Sequence, residues 1–547
     1  MAAYTTIWIW ISALYLGSVL TYARTIEFAR RTSSGLVKRQ EGTRNSRGGV
    51  IIEPYTFVHR LDPANSTNVT SPVGNVEDVR YTTNITLNGK NFVVALDTGS
   101  TDLWVHPVLE DLGDVNGTGI PLDLRYGDGS YGVRGNISFA PLEIGEHSVP
   151  SQAFLAVQTG NIRGIRDIGL DGLLGFGFDA SYASPINLAI KQVQGQNSTS
   201  GQSVLRNIFS QDPILPNFVA FDLARTDDLE EIIGGSLSIG EYDQRWKEVQ
   251  DAPKIPQYPK RAVRWTALLE GVTVDGVDLT LESTLPGVPG GSLLALLDTG
   301  DPTAVLPLKI RDDIYSRIPG AVRLTTEDGY ELWILPCNTT TSVAFTFGGQ
   351  SFAMHPLDLS AFSRPINLGG SEYTACIGTI AGGGEYWAGN DLEVSLGDVF
   401  LRNVYSVFHF GDEGGEPYIQ LLSQTDPEKA ASDVVAVRNR TMASLAPEIA
   451  PAQLLDLILA NSTLARGPRP TGPDGVAALA IAQMDPRGYG LLLVALLAGS
   501  MLIGVVLIGL AVLIFIRDKN EGRVARRRSS HRPLSLVLKS GQSAGPA

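Results

Sequence analysis

The tripeptide Asp-Thr-Gly occurs twice in this chain, beginning at Asp97 and at Asp298. An apolar run typical of a buried strand precedes each copy, Phe92–Leu96 in one case and Leu293–Leu297 in the other. The repeat predicts an internal duplication that places one carboxyl group in each half of the fold. Two carboxyls that share a site give one ionised and one protonated group, which is what general acid–base attack by water on an amide requires.

Residues 78–424 alternate short apolar runs, rich in β-branched residues, with clusters of Gly, Asp, Asn and Pro. This spacing predicts mostly β structure. Strands are predicted over Tyr81–Leu87, Asn91–Leu96, Ala153–Val157, Val343–Phe347 and Tyr418–Leu422, and a helix over Pro185–Val193. Together with the duplication, the pattern predicts one bilobal domain with lobes at about residues 78–250 and 251–424.

The N-terminus begins with an apolar run over residues 7–20, which is short for a membrane span and ends near the small residues of Thr21-Tyr22-Ala23. This pattern predicts a signal peptide over residues 1–23, and an uncleaved anchor is the alternative. Residues 24–77 are then a prosegment and N-terminal extension. Lys38-Arg39 is a dibasic pair within it, and is either a processing site or part of a charged loop that is never cut.

The C-terminus contains an uncharged, almost wholly apolar stretch over residues 488–516, which is long enough to cross a bilayer. The tail that follows, residues 517–547, carries eight Lys or Arg and two Asp or Glu, which places it in the cytosol. Residues 425–487 are rich in Ala, Pro and Asp and predict a stalk, with a short helix near Pro451–Leu459. We therefore expect a single-pass type I protein of the plasma membrane or a secretory-pathway membrane, with its head outside or in the lumen.

Asn-X-Ser/Thr sequons occur only on the predicted external side of the chain, which agrees with this topology. They lie at Asn65, Asn68, Asn84, Asn116, Asn136, Asn197, Asn338, Asn439 and Asn461. The cysteines are Cys337 and Cys376, which a secretory route would join in a disulfide. Two unpaired buried thiols are the alternative.

The formal net charge of −14 disfavours binding to nucleic acid. The six histidines show no metal-ligand spacing, so no metal is expected. We expect the partners to be a polypeptide substrate and the membrane, and the head to be monomeric.

Five sequence elements follow one another in the order found in pepsin-like aspartic proteases, and in these the chain resembles that family. They are Asp97–Val105, Tyr126–Ser130, Asp171–Gly175, Asp298–Gly300, and Leu396–Arg402 together with Tyr405–Phe408. In the family these form the first catalytic loop, the flap hairpin, the strand beneath the first loop, the second catalytic loop and the closing segment of the second lobe. Cys337 and Cys376 fall where the family has its second-lobe disulfide.

The resemblance implies a bilobal fold in which Asp97 and Asp298 activate water between them without a metal, a cofactor or a covalent intermediate. It also implies supporting roles for the rest of the two loops. Thr98 and Thr299 would tie the loops together, Gly99 and Gly300 would let the backbone turn its N–H groups toward the carboxyls, and the Ser100 hydroxyl would bond the outer oxygen of Asp97.

The resemblance further assigns Tyr126 and Gly127 to a flap that closes over the substrate. Trp104 is then a partner for the Tyr126 hydroxyl; the alternatives are an ordinary strand tyrosine and a core tryptophan. Asp128, at the tip of the flap, either favours a basic substrate side chain, as in fungal-type members, or is a solvated turn residue.

Asp301 departs from the family pattern, because the residue after the second Asp-Thr-Gly is usually Ser or Thr. A third carboxyl beside Asp298 should raise at least one pKa in the group. If protonated it can donate the missing hydrogen bond, and if ionised it opposes activity. We expect activity restricted to acid pH, with Asp301→Ser or Asp301→Thr widening the range. Ser395 is a smaller departure, since the family prefers an apolar residue there.

The sequence thus predicts a membrane-anchored, glycosylated aspartic endopeptidase that hydrolyses peptide bonds in surface or secretory-pathway polypeptides. A non-catalytic head that keeps the fold and binds a peptide or partner is the main alternative. A structural cell-wall glycoprotein would explain the stalk and the sequons but not the paired motif.

Overall fold

The computed structural model describes residues 71–76, 80–106, 112–113, 115–127, 129, 131–161, 170–180, 183–225, 233–325, 331–368, 370–383, 392–411 and 415–461. The predicted signal peptide, the dibasic pair, the segment 488–516 and the tail lie outside these residues, as do Asn65, Asn68 and Asp128. Among the residues that the structure describes, no helix is both long and apolar enough to cross a membrane.

The first half of the head consists mainly of strands. They are β1 Ser71–Val76, β2 Arg80–Leu87, β3 Lys90–Asp97, β4 Leu103–Val105, β5 Asn116–Tyr126, β6 Tyr131–Ile144, β7 His147–Gly160, β8 Gly172–Gly175, β9 Phe218–Asp222 and β10 Ile233–Ile239. The second half begins with β11 Ile255–Pro256, β12 Thr266–Leu269, β13 Gly271–Val274, β14 Val277–Asp278, β15 Leu293–Leu297, β16 Ala304–Pro307, β17 Val322–Thr325, β18 Glu331–Leu335 and β19 Val343–Phe347. It continues with β20 Gln350–Met354, β21 Ser360–Phe362, β22 Ile366–Leu368, β23 Ser371–Tyr373, β24 Cys376–Gly378, β25 Ile380–Gly383, β26 Val394–Leu396, β27 Val404–His409 and β28 Tyr418–Ser423.

Helices are few and short by comparison. They are α1 Pro185–Gln194, α2 Val204–Gln211, α3 Leu308–Tyr315, α4 Asp398–Leu401, α5 Pro427–Met442 and α6 Pro451–Asn461, with 3₁₀ turns at Gln244–Asp251 and Pro356–Leu359. The mostly β prediction is confirmed, as is each strand and helix predicted above. Their predicted ends lie within two residues of the observed ones, except in β7, which spans His147–Gly160 rather than Ala153–Val157.

The internal duplication is confirmed by strand topology. In the first lobe β3 pairs in parallel with β8, and β8 pairs antiparallel with β4. In the second lobe β15 pairs in parallel with β26, and β26 pairs antiparallel with β16. The last strand of each set pairs in parallel with a further strand, β4 with β7 and β16 with β25. The two aspartates therefore end equivalent strands of two equivalent sheets.

A shared sheet joins the two lobes, with the order β11-β28-β27-β9-β10-β1. It includes strands from both halves, because β27 of the second half pairs with β9 of the first. The predicted lobe border at residue 250 is therefore not a clean division. The predicted start of the head at residue 78 is also too late, because the backbone of Ser71–Val76 pairs with β10 and β2.

The stalk predicted over residues 425–487 begins too early, because the first part of this segment packs onto the second lobe. Helix α5 buries Ala430, Val434 and Val437, spaced three or four residues apart as one helix face requires. Leu454 of α6 is fully buried with Ile334 and neighbouring side chains of the second lobe. Residues 427–461 thus belong to the head. The short helix predicted near Pro451–Leu459 is confirmed as α6.

Arg438 anchors α5 to the second lobe although it is charged and only 2% exposed. Its Nη2 donates to the carbonyl oxygens of Leu357 at 3.1 Å and Ser360 at 2.7 Å. The guanidinium also lies over the ring of Phe362, 4.6 Å from its centroid. A buried cation with several acceptors is a fixed attachment, because removing it leaves those acceptors unsatisfied.

The disulfide predicted between Cys337 and Cys376 is present and buried. It links the end of β18 to the start of β24, beneath Met442 and Leu445 of the C-terminal segment. Six sequon asparagines lie among the residues whose exposure the structure describes, and each is partly or fully exposed. They are Asn84, Asn116, Asn136, Asn197, Asn338 and Asn439.

Candidate active site

Asp97 and Asp298 stand at matching positions at the lobe boundary. Asp97 is the last residue of β3, and its carbonyl oxygen accepts a hydrogen bond from the N–H of Phe176 at 2.8 Å, just beyond β8. Asp298 follows β15, and its N–H donates to the carbonyl of Leu396 at 3.0 Å, at the end of β26. The central strand of each sheet therefore fixes the backbone of its aspartate.

The two carboxyl groups meet across the boundary. The N–H of Gly99 donates to Oδ1 of Asp97 at 2.9 Å and to Oδ1 of Asp298 at 3.1 Å. The carboxyls are also close enough for the negative charge of Asp97 to raise the pKa of Asp298. A single backbone donor that reaches both groups therefore brings them to one point of the site.

Thr98 and Thr299 interlock the two loops, as the resemblance implied. The N–H of Thr98 donates to Oγ1 of Thr299, and the N–H of Thr299 donates to Oγ1 of Thr98, each at 3.0 Å. The Thr98 hydroxyl also donates to the carbonyl of Leu297 at 2.8 Å. Both threonines are fully buried, so these bonds fix the distance between the aspartates in a water-free setting.

Glycine is required after each threonine because the opposite carboxyl lies against the backbone. A Cβ at Gly99 would come within 2.3 Å of the Asp298 carboxyl, and one at Gly300 within 2.5 Å of the Asp97 carboxyl. Neither approach is possible for a real side chain. The Asp-Thr-Gly repeat is therefore a direct consequence of bringing the two carboxyls together.

The hydrogen-bond donors to the two carboxyls differ. Asp97 accepts N–H bonds from Gly99 and Ser100 at Oδ1, and the Ser100 hydroxyl bonds its Oδ2. Asp298 accepts from the N–H of Gly300 at 2.8 Å and from Gly99. Burial, followed by the negative charges of Asp97 and Asp301, raises the pKa of Asp298 well above its usual range. The direction of this shift favours the protonated form of Asp298 within the pair.

Asp301 occupies the place where the family has a hydroxyl, and its carboxyl points to other partners. Its Oδ1 accepts from the N–H of Thr303 at 2.9 Å and from the Thr303 hydroxyl at 2.8 Å. Its Oδ2 accepts from the Ser395 hydroxyl at 3.2 Å. Burial raises the pKa of Asp301. The expectation that a third carboxyl raises a pKa in this group agrees with the shift at Asp298.

Asp398 is a further carboxyl near the site to which the sequence analysis gave no role. It is fully buried at the start of α4, and its side-chain oxygens have no hydrogen-bond partner among the described residues. Burial raises the pKa of Asp398, while the charges of Arg80 and Arg402 oppose this shift. The only sequence signal is its place after Leu396-Gly397, the segment that corresponds to Leu174-Gly175 in the first lobe.

The flap hairpin is formed by β5 and β6, with Tyr126 at the end of β5. The Tyr126 hydroxyl accepts a hydrogen bond from Nε1 of Trp104 at 2.7 Å, which is the predicted contact. Gly127 has φ of 59°, in the left-handed region that favours glycine at such a turn. Burial and the negative charge of Asp97 raise the pKa of Tyr126 well above its usual range, so the phenol stays neutral.

Sequence comparisons with known proteins agree on one family. The family model for eukaryotic aspartyl proteases matches residues 114–414, more than half of the chain. The chain is 28% identical over 354 residues to an aspartic protease of Phaffia rhodozyma, which covers 61% of this chain and 74% of that protein. It is 25% identical over 334 residues to the aspartic-type endopeptidase ctsD of Aspergillus fumigatus, covering 59% and 61% respectively. It is also 25% identical over 395 residues to cathepsin D of Dictyostelium discoideum, covering 68% and 91%.

Proposed function

Because the chain belongs to the eukaryotic aspartyl protease family and is an aspartic-type endopeptidase, we propose that Asp97 and Asp298 are its catalytic pair. The observation that carries this assignment is the Gly99 N–H, which reaches a carboxyl oxygen of each aspartate. The interlocked loops thus bring both carboxyls to a place where they can act on the same water molecule.

The donors around each carboxyl assign the roles within the pair. Three donors surround Asp97 and compensate a negative charge there, so Asp97 removes a proton from the bound water. The water oxygen attacks the peptide carbonyl carbon, while Asp298 gives its proton to the carbonyl oxygen. Asp97 then gives the proton that it took from water to the leaving nitrogen as the C–N bond breaks. Asp298 takes a proton back from one hydroxyl of the diol as the carbonyl re-forms, which restores the starting state.

The substrate is a polypeptide that lies extended between the lobes beneath the flap. Extended chains bind such clefts through backbone hydrogen bonds, as an added strand does at a sheet edge. The Trp104–Tyr126 hydrogen bond holds the tyrosine of the flap on the side of Asp97, so that closure shields the water from bulk solvent.

We further propose that the enzyme is anchored in a membrane of the secretory pathway or the cell surface by residues 488–516, with residues 517–547 in the cytosol. The composition of these segments supports this topology, as does the exposure of the sequons on described strands and helices. The linker between the head and the membrane is then about residues 462–487, shorter than the stalk predicted from sequence.

A peptide-library assay of the purified full-length chain between about pH 3 and 6 tests the catalytic assignment. Asp97→Asn and Asp298→Asn should each abolish cleavage, whereas Asp278→Asn, at an exposed hairpin position, should leave it unchanged. A statine-type peptide should bind the wild type and lose affinity in Asp97→Asn, because its hydroxyl mimics the attacking water. Cleavage that survives in either aspartate variant would contradict the assignment.

A further inference from the structure

The two positions where the chain departs from the family pattern contact each other. The Ser395 hydroxyl donates to Oδ2 of Asp301 at 3.2 Å, although the two residues are 94 positions apart. Ser395 is 1% exposed and lies on β26, between β15, which leads to Asp298, and β16, which leads away from Asp301. An apolar side chain at residue 395 could not make this bond, so the two departures form one unit.

The Asp301 carboxyl is held in one orientation by three donors. Two come from Thr303, through its N–H and its hydroxyl, and the third comes from Ser395. The backbone is fixed as well, since the N–H of Asp301 donates to the carbonyl of Asp298 at 3.1 Å and its own carbonyl accepts from the N–H of Asp398 at 2.7 Å. Thr303 and Ser395 donate each of these hydrogen bonds to the Asp301 carboxyl, and donated hydrogen bonds favour the ionised form of a carboxyl.

Charged groups face Asp301 from every element packed around it. Asp298 lies in its own loop and Asp97 in the facing loop, and both belong to the proposed catalytic pair. Asp398 approaches from α4. Arg80, at the start of β2, supplies the positive charge that acts on both Asp301 and Asp398.

We propose that Ser395 is a positioning residue that holds Asp301 as a fixed charge beside the catalytic pair, and that this charge sets the upper pH limit of activity. The inference rests on the proposed function. The catalytic pair works with one shared proton, and activity ends when that proton is lost. A negative charge nearby makes the second ionisation of the pair harder, so the active form persists to higher pH.

The sequence alone predicts that replacing Asp301 widens the pH range of activity. With this geometry we instead expect the upper limit of that range to be displaced. Asp301→Asn keeps the shape and hydrogen bonds to Thr303 and Ser395 but removes the charge. The upper limb of the kcat/KM–pH profile should then move down by about one pH unit, the size expected for two charges several ångströms apart at a partly buried site. Asp301→Ser should move it in the same direction, because a hydroxyl that donates to Asp298 also favours ionisation of the pair.

Ser395→Ala tests the positioning role without touching a carboxyl. Loss of the hydroxyl leaves Asp301 with fewer donors, so Asp301 ionises at higher pH and supports the catalytic proton less. In Ser395→Ala the upper limb of the kcat/KM–pH profile should move down by less than in Asp301→Asn. In Ser395→Thr, which keeps a hydroxyl, the upper limb should lie where it does in the wild type. In the Asp301→Asn background, Ser395→Ala should produce no further shift.

The experiment measures kcat/KM against pH for the full-length chain and these variants on one peptide substrate. Ser406→Ala is the matched control, since Ser406 is a fully buried strand serine whose hydroxyl has no hydrogen-bond partner among the described residues. Its upper limb should coincide with that of the wild type. An upper limb that stays in place in Asp301→Asn, or a further shift in the double variant, would overturn the inference.

An infrared pH titration separates this inference from the proposed function, because it needs no turnover. Every chain compared also carries Asp97→Asn and Asp298→Asn, so that the catalytic pair does not titrate. Subtracting the Asp301→Asn spectrum from that of the otherwise identical chain then isolates the Asp301 carboxyl. Its acid-to-carboxylate transition should occur at higher pH when the same subtraction is made in the Ser395→Ala background. If the chain cleaved no peptide at any pH, the proposed function would fail. An unmoved Asp301 transition would refute the role of Ser395 in either case.

Discussion

Replacing Asp102 with Asn should remove one definite contribution to the pH dependence of the stability of the head. Asp102 is 6% exposed and caps the start of α1, where its Oδ1 bonds the Ser184 hydroxyl at 2.5 Å and its Oδ2 accepts from the N–H of Ile186 at 2.9 Å. Burial is the main cause that raises the pKa of Asp102 from 3.8 to about 7, against the opposing effect of these two hydrogen bonds. The buried carboxyl is therefore protonated in the folded chain when it would be ionised in the unfolded chain.

The sign of the effect follows from this difference. Between about pH 4 and 7 the folded state binds the proton more tightly than the unfolded state, so the free energy of unfolding falls as the pH rises. A shift from 3.8 to about 7, at about 1.4 kcal/mol per pKa unit, corresponds to a loss of about 4 kcal/mol across that window. Below pH 4 both states are protonated, and the contribution is fully present.

Asn reproduces the protonated carboxyl at this site, because its oxygen can accept from Ile186 and its amide can donate to Ser184. Asp102→Asn should match the wild type near pH 4 and be more stable by about 4 kcal/mol above pH 7. Burial also raises the pKa of Asp179, Asp298, Asp301 and Asp398, so a pH dependence of the same sign should remain in the variant.

Urea unfolding of the full-length chain, followed by tryptophan fluorescence at unit pH steps from 4 to 8, measures this difference. Asp278→Asn, which removes an exposed carboxylate, serves as the control and should follow the wild type. Parallel stability curves for the wild type and Asp102→Asn would refute the reasoning, since they would mean that Asp102 titrates alike in the folded and unfolded chain.

Three further substitutions test contacts of the fold and the site. Thr98→Val removes the hydroxyl that donates to the Leu297 carbonyl and accepts from the Thr299 N–H. It should cost about 1–3 kcal/mol of stability per unsatisfied partner and lower kcat, whereas Thr98→Ser should retain both hydrogen bonds. Leu454→Ala should destabilise the head by about 2–5 kcal/mol in urea unfolding, because Leu454 is fully buried; a loss below about 0.5 kcal/mol would mean that α6 does not pack on the head. Trp104→Phe keeps the ring but loses the bond to Tyr126, and should lower kcat/KM about tenfold with little change in thermal stability; an unchanged kcat/KM would show that the bond does not position the flap.

Much of the fold can be predicted from sequence wherever the signal is local. The apolar residues of Val343–Phe347 predict its strand to the residue, because four of the five side chains are buried and the turn that follows consists of Gly348-Gly349. The Asp-Thr-Gly repeat predicts the meeting of the carboxyls, because a Cβ at Gly99 or Gly300 would collide with the opposite aspartate. In both cases the residue type itself carries the geometric requirement.

The predictions that needed correction depend on contacts between distant parts of the chain. The composition of residues 425–487, rich in Ala, Pro and Asp, predicts a stalk. Helix α5 is nevertheless held on the head by buried side chains that include Arg438, whose acceptors lie about 80 residues earlier. Likewise the orientation of Asp301 depends on Ser395, 94 residues later. Neither pairing can be read from the neighbourhood of one residue, because the sheet and helix packing that creates it is a property of the whole head.

Asp102 affects the pH dependence of stability alone, whereas Asp301 affects activity and stability together. Asp102 lies in the first lobe beneath α1, bonded to Ser184 and Ile186. Asp301 lies in the second catalytic loop, bonded to Thr303 and Ser395. Asp102→Asn should therefore change the slope of stability against pH and leave the upper limb of activity in place. Asp301→Asn should displace that limb, and it should also change the slope of stability, because burial raises the pKa of Asp301. If Asp102→Asn moved the upper limb as well, Asp102 and the catalytic pair would have to titrate as one coupled group, which their separate hydrogen-bond partners do not support.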